Sequence, residues 1–333
     1  MAQTALSDLN FQSALFKEAL GATFTDKLKI YNQLLTQAPD SVISSNDRGQ
    51  FVSLPTFNVS TDRMTQISTG TTLTPNKLTQ RLERAAWLSR EIAFSSEQIN
   101  MVVAAQDPTE EAAIQLGTII AKEVQAATIS ALTGVFTTAL LSTHVLDDSS
   151  NTVSIDQLLA AKLKLGDSMS ELAFMLTNSK VYGDMISKKM LVEAGANVNA
   201  AESGEVGRVL GMFVGAEDAL TAAAGTYKSY LAAPGAVLYK FRTRPDQMYT
   251  AKIGARVATP NGIIADFEVD RSALSSGGVD TLIARVSFLV HPVGMRWTDA
   301  TSNPSDTDLA TGSNWTKAAT DDKLIKMVQY LSK

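Results

Sequence analysis

From Ala113 onward, apolar residues recur at the spacing of one helix face: Ala113, Leu116, Ile120, Val124, Ala127 and Ala131. The preceding Asp107-Pro108-Thr109-Glu110-Glu111 is a helix start. Asp107 can cap free N–H groups, Pro108 suits the first helical position, and Glu110 stands where it returns the bond and meets the helix dipole. The spacing predicts a helix from 108 to about 141, roughly 50 Å long at 1.5 Å per residue, which Gly134 could kink or end early.

Around it the period changes. Gln50 to Asn58 alternates loosely through Val52, Leu54 and Phe57, and a return strand is expected around Thr71 to Leu78. The two make an extended hairpin with few large apolar residues, marginal alone and in need of a partner subunit. Before it, helical pieces over Phe11 to Leu20 and Thr25 to Gln37 read as an arm with little core of its own. Ser154-Ile155-Asp156-Gln157 opens a helix closing at Gly166, and Asn178-Ser179 opens another through Lys189. Strands are expected at Glu171 to Thr177, Arg208 to Val214, Tyr227 to Ala232, Ala236 to Phe241, Ile263 to Arg271 and Val279 to His291. The glycines at 204, 207, 211 and 215 fit turns or bulges around a strand better than a helix contact. Thr298 to Thr320 is polar and loop-like. The class is α+β.

Composition narrows the functions. The chain has 333 residues, enough for one or two domains, with 45% hydrophobic and 19% charged residues. That charge content is below the ~25% of ordinary soluble domains, as expected if other copies cover much of the surface. A net charge of -5, with pI near 5.2, supplies no basic groove for nucleic acid. With no cysteine, thiolate chemistry and Cys-based metal sites are excluded. The N-terminal residues lack the pattern of a signal peptide. Val124 to Leu146 carries no charge and is long enough to span a bilayer. Its Thr128, Ser130, Thr133, Thr137, Thr138, Ser142, Thr143 and His144 favour burial inside protein instead.

Catalytic chemistry is hard to place. His144 and His291 stand far apart, outside any H-x-H or H-E-x-x-H arrangement, and no nucleophile elbow, P-loop or dinucleotide fingerprint occurs. The acid pairs at 110–111, 147–148, 217–218 and 321–322 fit a helix start and solvated loops. Trp87, Trp297 and Trp315 are too dispersed for a base-stacking platform and fit core or interface anchors. No catalytic, cofactor or metal residue is nominated, and no cofactor, small-molecule substrate or membrane is expected.

Taken in order, these elements resemble the major capsid protein of tailed bacteriophages, the Hong Kong 97-like fold. The resemblance is carried by Asp107-Pro108 opening the helix that reaches Gly134-Val135-Phe136, by Ser179-Lys180-Val181-Tyr182, and by Gly211-Met212-Phe213-Val214 before Glu217-Asp218. It continues through Tyr230-Leu231 and Pro234-Gly235-Ala236. Its densest part is Glu268, Asp270-Arg271, Asp280, Leu282, Arg285, Phe288, His291-Pro292, Gly294 and Trp297, followed by Asn314-Trp315.

The family implies an N-terminal arm (1–48), an extended hairpin loop (49–82), a peripheral domain with a spine helix (83–150), an axial domain (151–245) and a closing peripheral segment (246–333). It implies a non-enzymatic virion subunit that self-assembles, in the bacterial cytoplasm, into an icosahedral shell around double-stranded DNA. The partners would be copies of itself as pentamers and hexamers, scaffolding and portal proteins, possible decoration proteins, and DNA held non-specifically. Phe51, Leu54, Phe57, Met64, Thr71, Leu73 and Lys77 are the candidate interface residues. Some relatives crosslink a loop lysine to an asparagine, but the surroundings of Lys77, Asn303 and Asn314 do not mark a match. The rivals are an encapsulin-type compartment of the same fold, a soluble enzyme with an unrecognised site, and a secreted surface-array protein.

Overall fold

A computed structural model describes residues 13–28, 31, 34–57, 64, 80–95, 108–137, 141–191, 207–221, 225–243, 253–270 and 281–333. In chain order it begins with helix α1 (Ala14–Lys27) and strands β1 (Leu35–Gln37), β2 (Phe51–Phe57), β3 (Gln80–Ala86) and β4 (Leu88–Ser95). Helix α2 (Pro108–Val135), β5 (Val145–Asp147), α3 (Ile155–Leu163), β6 (Phe174–Thr177) and α4 (Ser179–Ser187) follow. Then come β7 (Arg208–Val209), β8 (Met212–Ala216), β9 (Tyr227–Ala232), β10 (Val237–Phe241), β11 (Ile253–Ala258) and β12 (Ile264–Asp270). The chain closes with β13 (Thr281–Pro292), β14 (Met295–Trp297), α5 (Asp306–Ala310), β15 (Trp315–Lys317) and β16 (Met327–Ser332).

Two six-stranded sheets share the interior. The first runs β1-β10-β13-β12-β11, with β4 also on β13, and the second runs β5-β16-β9-β6-β8-β7. Period-two alternation decides what each face covers. Along β13, Leu282, Ala284, Val286, Phe288 and Val290 enter the main core against α1 and α2, whereas Leu289 enters a separate cluster with Leu54, Ala85 and Trp87. In the second sheet, Phe174, Leu176, Tyr230, Ala232 and Met327 face the main core. Met175, Leu231, Val328 and Tyr330 face away, onto Leu158 and Ala161 of α3 and Val181 and Met185 of α4. The Phe136–Tyr230 ring pair, 5.4 Å apart, joins the end of α2 to this sheet.

The first correction concerns the N-terminal segment. Ser13 caps α1 by accepting the Phe16 N–H at 3.1 Å, and Phe16, Leu20 and Phe24 recur on one face, all buried. Phe16 meets Phe267 edge-on and Phe24 meets Phe241 likewise. Tyr31 and Leu34 are buried as well, and β1 pairs parallel with β10. From residue 14 the segment belongs to the core; the helical spacing of its aromatics outweighs the polar breaks around it.

Further corrections concern boundaries. α2 is 28 residues, about 42 Å, and stops at Val135. A Cβ on Gly134 would collide with the Leu309 carbonyl and stand 2.9 Å from Trp315 Nε1, so Gly134 is where the C-terminal segment crosses the helix. The stretch from Arg208 to Val214 is a hairpin, not one strand: Leu210 (φ 48) and Gly211 (φ 82) make a two-residue turn and Arg208 pairs with Phe213. The residues from Gly166 to Glu171 form a 3-10 turn before β6. Thr298 to Thr320 contains α5, opened by a Ser305/Asp308 capping box, and the buried Trp315. The capping role of Asp107 lies outside the described residues.

Among the described residues no helix is long and apolar enough to cross a membrane. Val124, Ala127, Thr128, Ala131 and Leu132 are covered by protein, and Thr128 satisfies its hydroxyl on the Val124 carbonyl at 2.7 Å.

Gly134→Ala should destabilise the chain by ~1–3 kcal/mol through overpacking, despite alanine's higher helix propensity. Gly183→Ala in α4, where the new methyl meets nothing within 4 Å, should stabilise by ~0.4–1 kcal/mol. Urea denaturation of the two variants checks the opposite signs.

Candidate assembly surface

β2 and β3 pair antiparallel from Phe51↔Ala86 to Phe57↔Gln80 and share no strand with either large sheet. This is the base of the expected hairpin. Its described return strand is β3; the expected return strand at Thr71 to Leu78, with Thr71, Leu73 and Lys77, lies outside the described residues.

The base is fixed to β13 from several directions. Leu54, Ala85 and Trp87 pack with Ala38, Ile43 and Leu289. The Trp87 indole N–H donates to Asp47 at 3.1 Å. The Arg242 guanidinium lies 4.4 Å over the Trp87 ring and donates to Ser287 Oγ at 3.0 Å and to the Asp47 and Gly49 carbonyls. Arg84 sits 3.9 Å over the half-buried Phe51 and bonds the Asp299 carbonyl.

At the centre is a buried charge. Glu83, on β3, is 1% exposed, and its Oε2 meets His291 Nε2 at 3.1 Å and accepts the Gly294 N–H at 3.0 Å. Arg81 reaches its other oxygen at 2.9 Å. Burial works against the Glu83 carboxylate. The His291 ring, the Gly294 amide and Arg81 together outweigh it, and hold the pKa below the ordinary value. Gly294 adopts φ 88, where a Cβ would stand 2.8 Å from Ile325, so glycine is needed both for the turn and for the approach.

The predicted residues fall into three groups. Leu54 is buried in its own chain and is withdrawn as a contact residue; Phe51 is partly covered; Met64 is fully exposed. Phe57 ends β2. Of the structural set, Pro108 opens α2, Gly134 and Phe136 meet Trp315 and Tyr230 respectively, and Gly235 (φ 73) turns β9 into β10 beside Thr36. Arg285 bridges Glu91 at 3.0 Å and also Glu268. His291 and Pro292 end β13, while Trp297 and Trp315 pack edge-to-face at 5.0 Å. Asp107 and Arg271 lie outside the described residues. Sequence reasoning missed Glu83. Its one signal was alternation, which places it on the same side of the strand as Ala85.

A pocket between α2 and the β4–β13 pair has apolar walls from Ile92, Leu116, Ile119 and Val286, and its Arg90 and Glu123 bond each other at 2.7 Å. Among the described residues no three His, Asp or Glu are grouped to hold a metal.

Glu83→Ala should cost ~3–5 kcal/mol, because His291, Arg81 and the Gly294 amide lose a common buried partner; thermal unfolding measures it. A second prediction concerns pH. Burial holds the His144 imidazole below its ordinary pKa of 6.5, partly opposed by Asp322. The unfolded chain therefore binds this proton first, so the stability His144 contributes is complete above pH 6.5 and is lost as pH falls below it. Glu83 acts in the same sense below pH 4.5. Urea midpoints should fall from pH 6.5 downward, and His144→Gln should flatten the upper part of that decline while sparing the part below pH 4.5.

The comparisons with known proteins agree with this geometry. The major capsid protein of Bacillus phage SPP1 is 28% identical over 270 residues, spanning 78% of this chain and 75% of that protein. The capsid of cyanophage Pam1 shares the fold at TM-score 0.51 and 10% identity, over 90% of this chain and 88% of that one. That of Ralstonia phage GP4 also reaches 0.51, at 11% identity, over 80% and 86%. A family model described as "Major capsid protein 13-like" matches residues 14–246, a span that holds the buried face of α1, the hairpin base, the long helix and most of the second sheet. The chain therefore belongs to the Gp13-like family and is a major capsid protein of a tailed phage, with the Hong Kong 97-like fold.

Proposed function

We propose that this subunit assembles into pentamers and hexamers and closes an icosahedral shell around double-stranded DNA, with residues 50 to 80 lying over an adjacent copy. The hairpin base carries the reading. It is locked to β13 by Glu83 on His291 and by Trp87 in one cluster with Leu289, belongs to neither large sheet, and leaves Leu82 exposed, as is Met64 in the segment that follows β2. A two-stranded ribbon with a rigid root and uncovered apolar residues is suited to reach a neighbour. Phe57, Met64, Thr71, Leu73 and Lys77 are the proposed contacts.

The division into an extended loop at 49–82, peripheral segments at 83–150 and 246–333 and an axial domain at 151–245 is proposed on the same basis, with changes: residues from 14 onward and β10 join the peripheral core, β16 joins the axial unit, and the loop's base runs to Ala86. The second core cluster runs from Val153 to Leu231, adds Val328 and Tyr330 of β16 and is separate from the main core, which supports an axial unit that takes in β16 and ends before β10. No reaction is assigned to the subunit: its buried Glu83–His291 contact serves packing. Assembly in the bacterial cytoplasm with scaffolding, portal and decoration proteins belongs to the same proposal. So does a non-specific DNA contact, since a net charge of -5 retains packaged DNA without gripping it.

Deleting Thr56 to Thr74 should leave a folded subunit that forms no closed shells by electron microscopy, alone or with a scaffolding protein. Shells of normal yield from the deletion would remove the hairpin from assembly. A wild-type chain that stays a 35.6 kDa monomer at high concentration under every such condition would sink the whole reading.

A further inference from the structure

The sequence holds one Asn-Gly step, Asn261-Gly262, and it lies where helix α1 is fastened to the first sheet. Pro260, Asn261 and Gly262 form the three-residue loop between β11 and β12. The Gly262 N–H donates to the Thr259 carbonyl at 3.0 Å, the Thr259 N–H donates to the Ile263 carbonyl at 3.0 Å, and Gly262 takes φ 81. Asn261 is exposed, yet its side-chain amide is engaged on α1. Its Nδ2 donates to the Gly21 carbonyl at 3.0 Å and to Thr25 Oγ1 at 2.9 Å. A Cβ on Gly21 would stand 3.2 Å from that nitrogen, so the helix has its smallest residue where the loop approaches. A Cβ on Gly117 of α2 would stand 3.0 Å from the Leu20 carbonyl, so α1 is held closely by α2 and by the loop. Gln37, at the end of β1, also meets the loop, since a Cβ on Gly262 would collide with its side-chain amide.

We propose that Asn261 is a site of spontaneous deamidation, held in check while α1 is docked, and that its product releases the helix. A glycine after asparagine leaves the next backbone nitrogen unshielded by a side chain, which is what ring closure needs. The Gly262 nitrogen gives up its proton to solvent and bonds to Asn261 Cγ. The Cγ–Nδ2 bond breaks, and Nδ2 takes a proton from solvent and leaves as ammonia. Water then opens the succinimide at either carbonyl, giving aspartate or isoaspartate, with no oxidation or reduction. The docked geometry opposes the first step at both atoms. Nδ2 cannot depart without surrendering its two bonds to α1, and the Gly262 N–H is held on the Thr259 carbonyl. Holding a reacting pair away from attack geometry slows it strongly. Local opening of α1 removes that restraint. After the change a carboxylate faces the Gly21 carbonyl, acceptor against acceptor, where the amide had offered two donors. The Thr25 hydroxyl can turn toward the new carboxylate only by giving up its own 2.9 Å bond to the same carbonyl. Isoaspartate also lengthens the main chain inside the loop. The inference stands independently of the capsid reading.

Peptide mapping by mass spectrometry, on full-length subunits aged at mildly alkaline pH, follows the gain in mass as nitrogen gives way to oxygen. Asn261 should deamidate about tenfold or more slowly in the folded subunit than in the same chain kept unfolded in urea. Equal rates overturn the control by folding, and no reaction at Asn261 in the unfolded chain overturns the site. Thr25→Val, at an exposed position, removes one acceptor from Nδ2 and should raise the folded-state rate about threefold or more. An unchanged rate overturns the part assigned to α1. Asn261→Asp installs one product directly. Amide hydrogen exchange across α1 should then quicken by about tenfold while β13 keeps its protection. Unchanged exchange in α1 overturns the release, and so does an equal loss of protection in α1 and β13.

Discussion

Strand β13 is buried on both sides from Val286 to His291, and the architecture depends on both sides being covered. Its even-numbered residues from Leu282 to Val290 are sealed by α1 and α2, and on the odd side Ser287, Leu289 and His291 are buried under the hairpin base and Trp87. A strand twelve residues long, paired with β4 and β12 in its first part and with β10 in its last, transmits that two-sided burial across most of the body. Removing cover from either side would expose a run of large side chains at about 25 cal/mol per Å².

The odd side is covered by a polar arrangement, which is costlier to build and more specific. A buried carboxylate is tolerable only when its oxygens are engaged, and Glu83 draws partners from three places: His291 at the end of β13, Gly294 in the turn after it, and Arg81 on its own strand. A one-residue slip of β3 would turn Glu83 outward and Leu82 inward, breaking every one of these contacts together. The hairpin thus leaves the body in a single register and direction. On the proposal that residues 50 to 80 lie over an adjacent copy, the register of this base sets the direction from which they start.

Much of this was legible in the sequence because it rests on local periodicity. The α2 face, the Ser154 and Asn178 caps and the strands β9, β10 and β13 all follow from spacing and capping residues. What failed depended on contacts distant in sequence. Gly134 ends α2 because Leu309 and Trp315 arrive from far along the chain. α1 reads as a weak helix with polar interruptions, and only Phe267 and Phe241 make its phenylalanines core residues. Leu54 looked like an interface residue because its partners Leu289 and Ile43 are not adjacent in sequence. Glu83 escaped sequence reasoning between Leu82 and Arg84, since nothing near it announces His291 or Gly294.

The hairpin base is anchored on Leu54 with Trp87 and the α3 layer on Leu158 with Ala161, so the described part of each is held by its own chain. A surface ordered in advance does not spend the free energy of a contact on its own ordering. Contacts of a few hundred Å² are individually weak and reversible, which lets a misplaced copy leave, while several at once hold a correctly placed copy firmly. Stiff roots under modest apolar surfaces are therefore what a closed shell requires of its repeating unit: geometry fixed within each copy, and stability drawn from the number of neighbours.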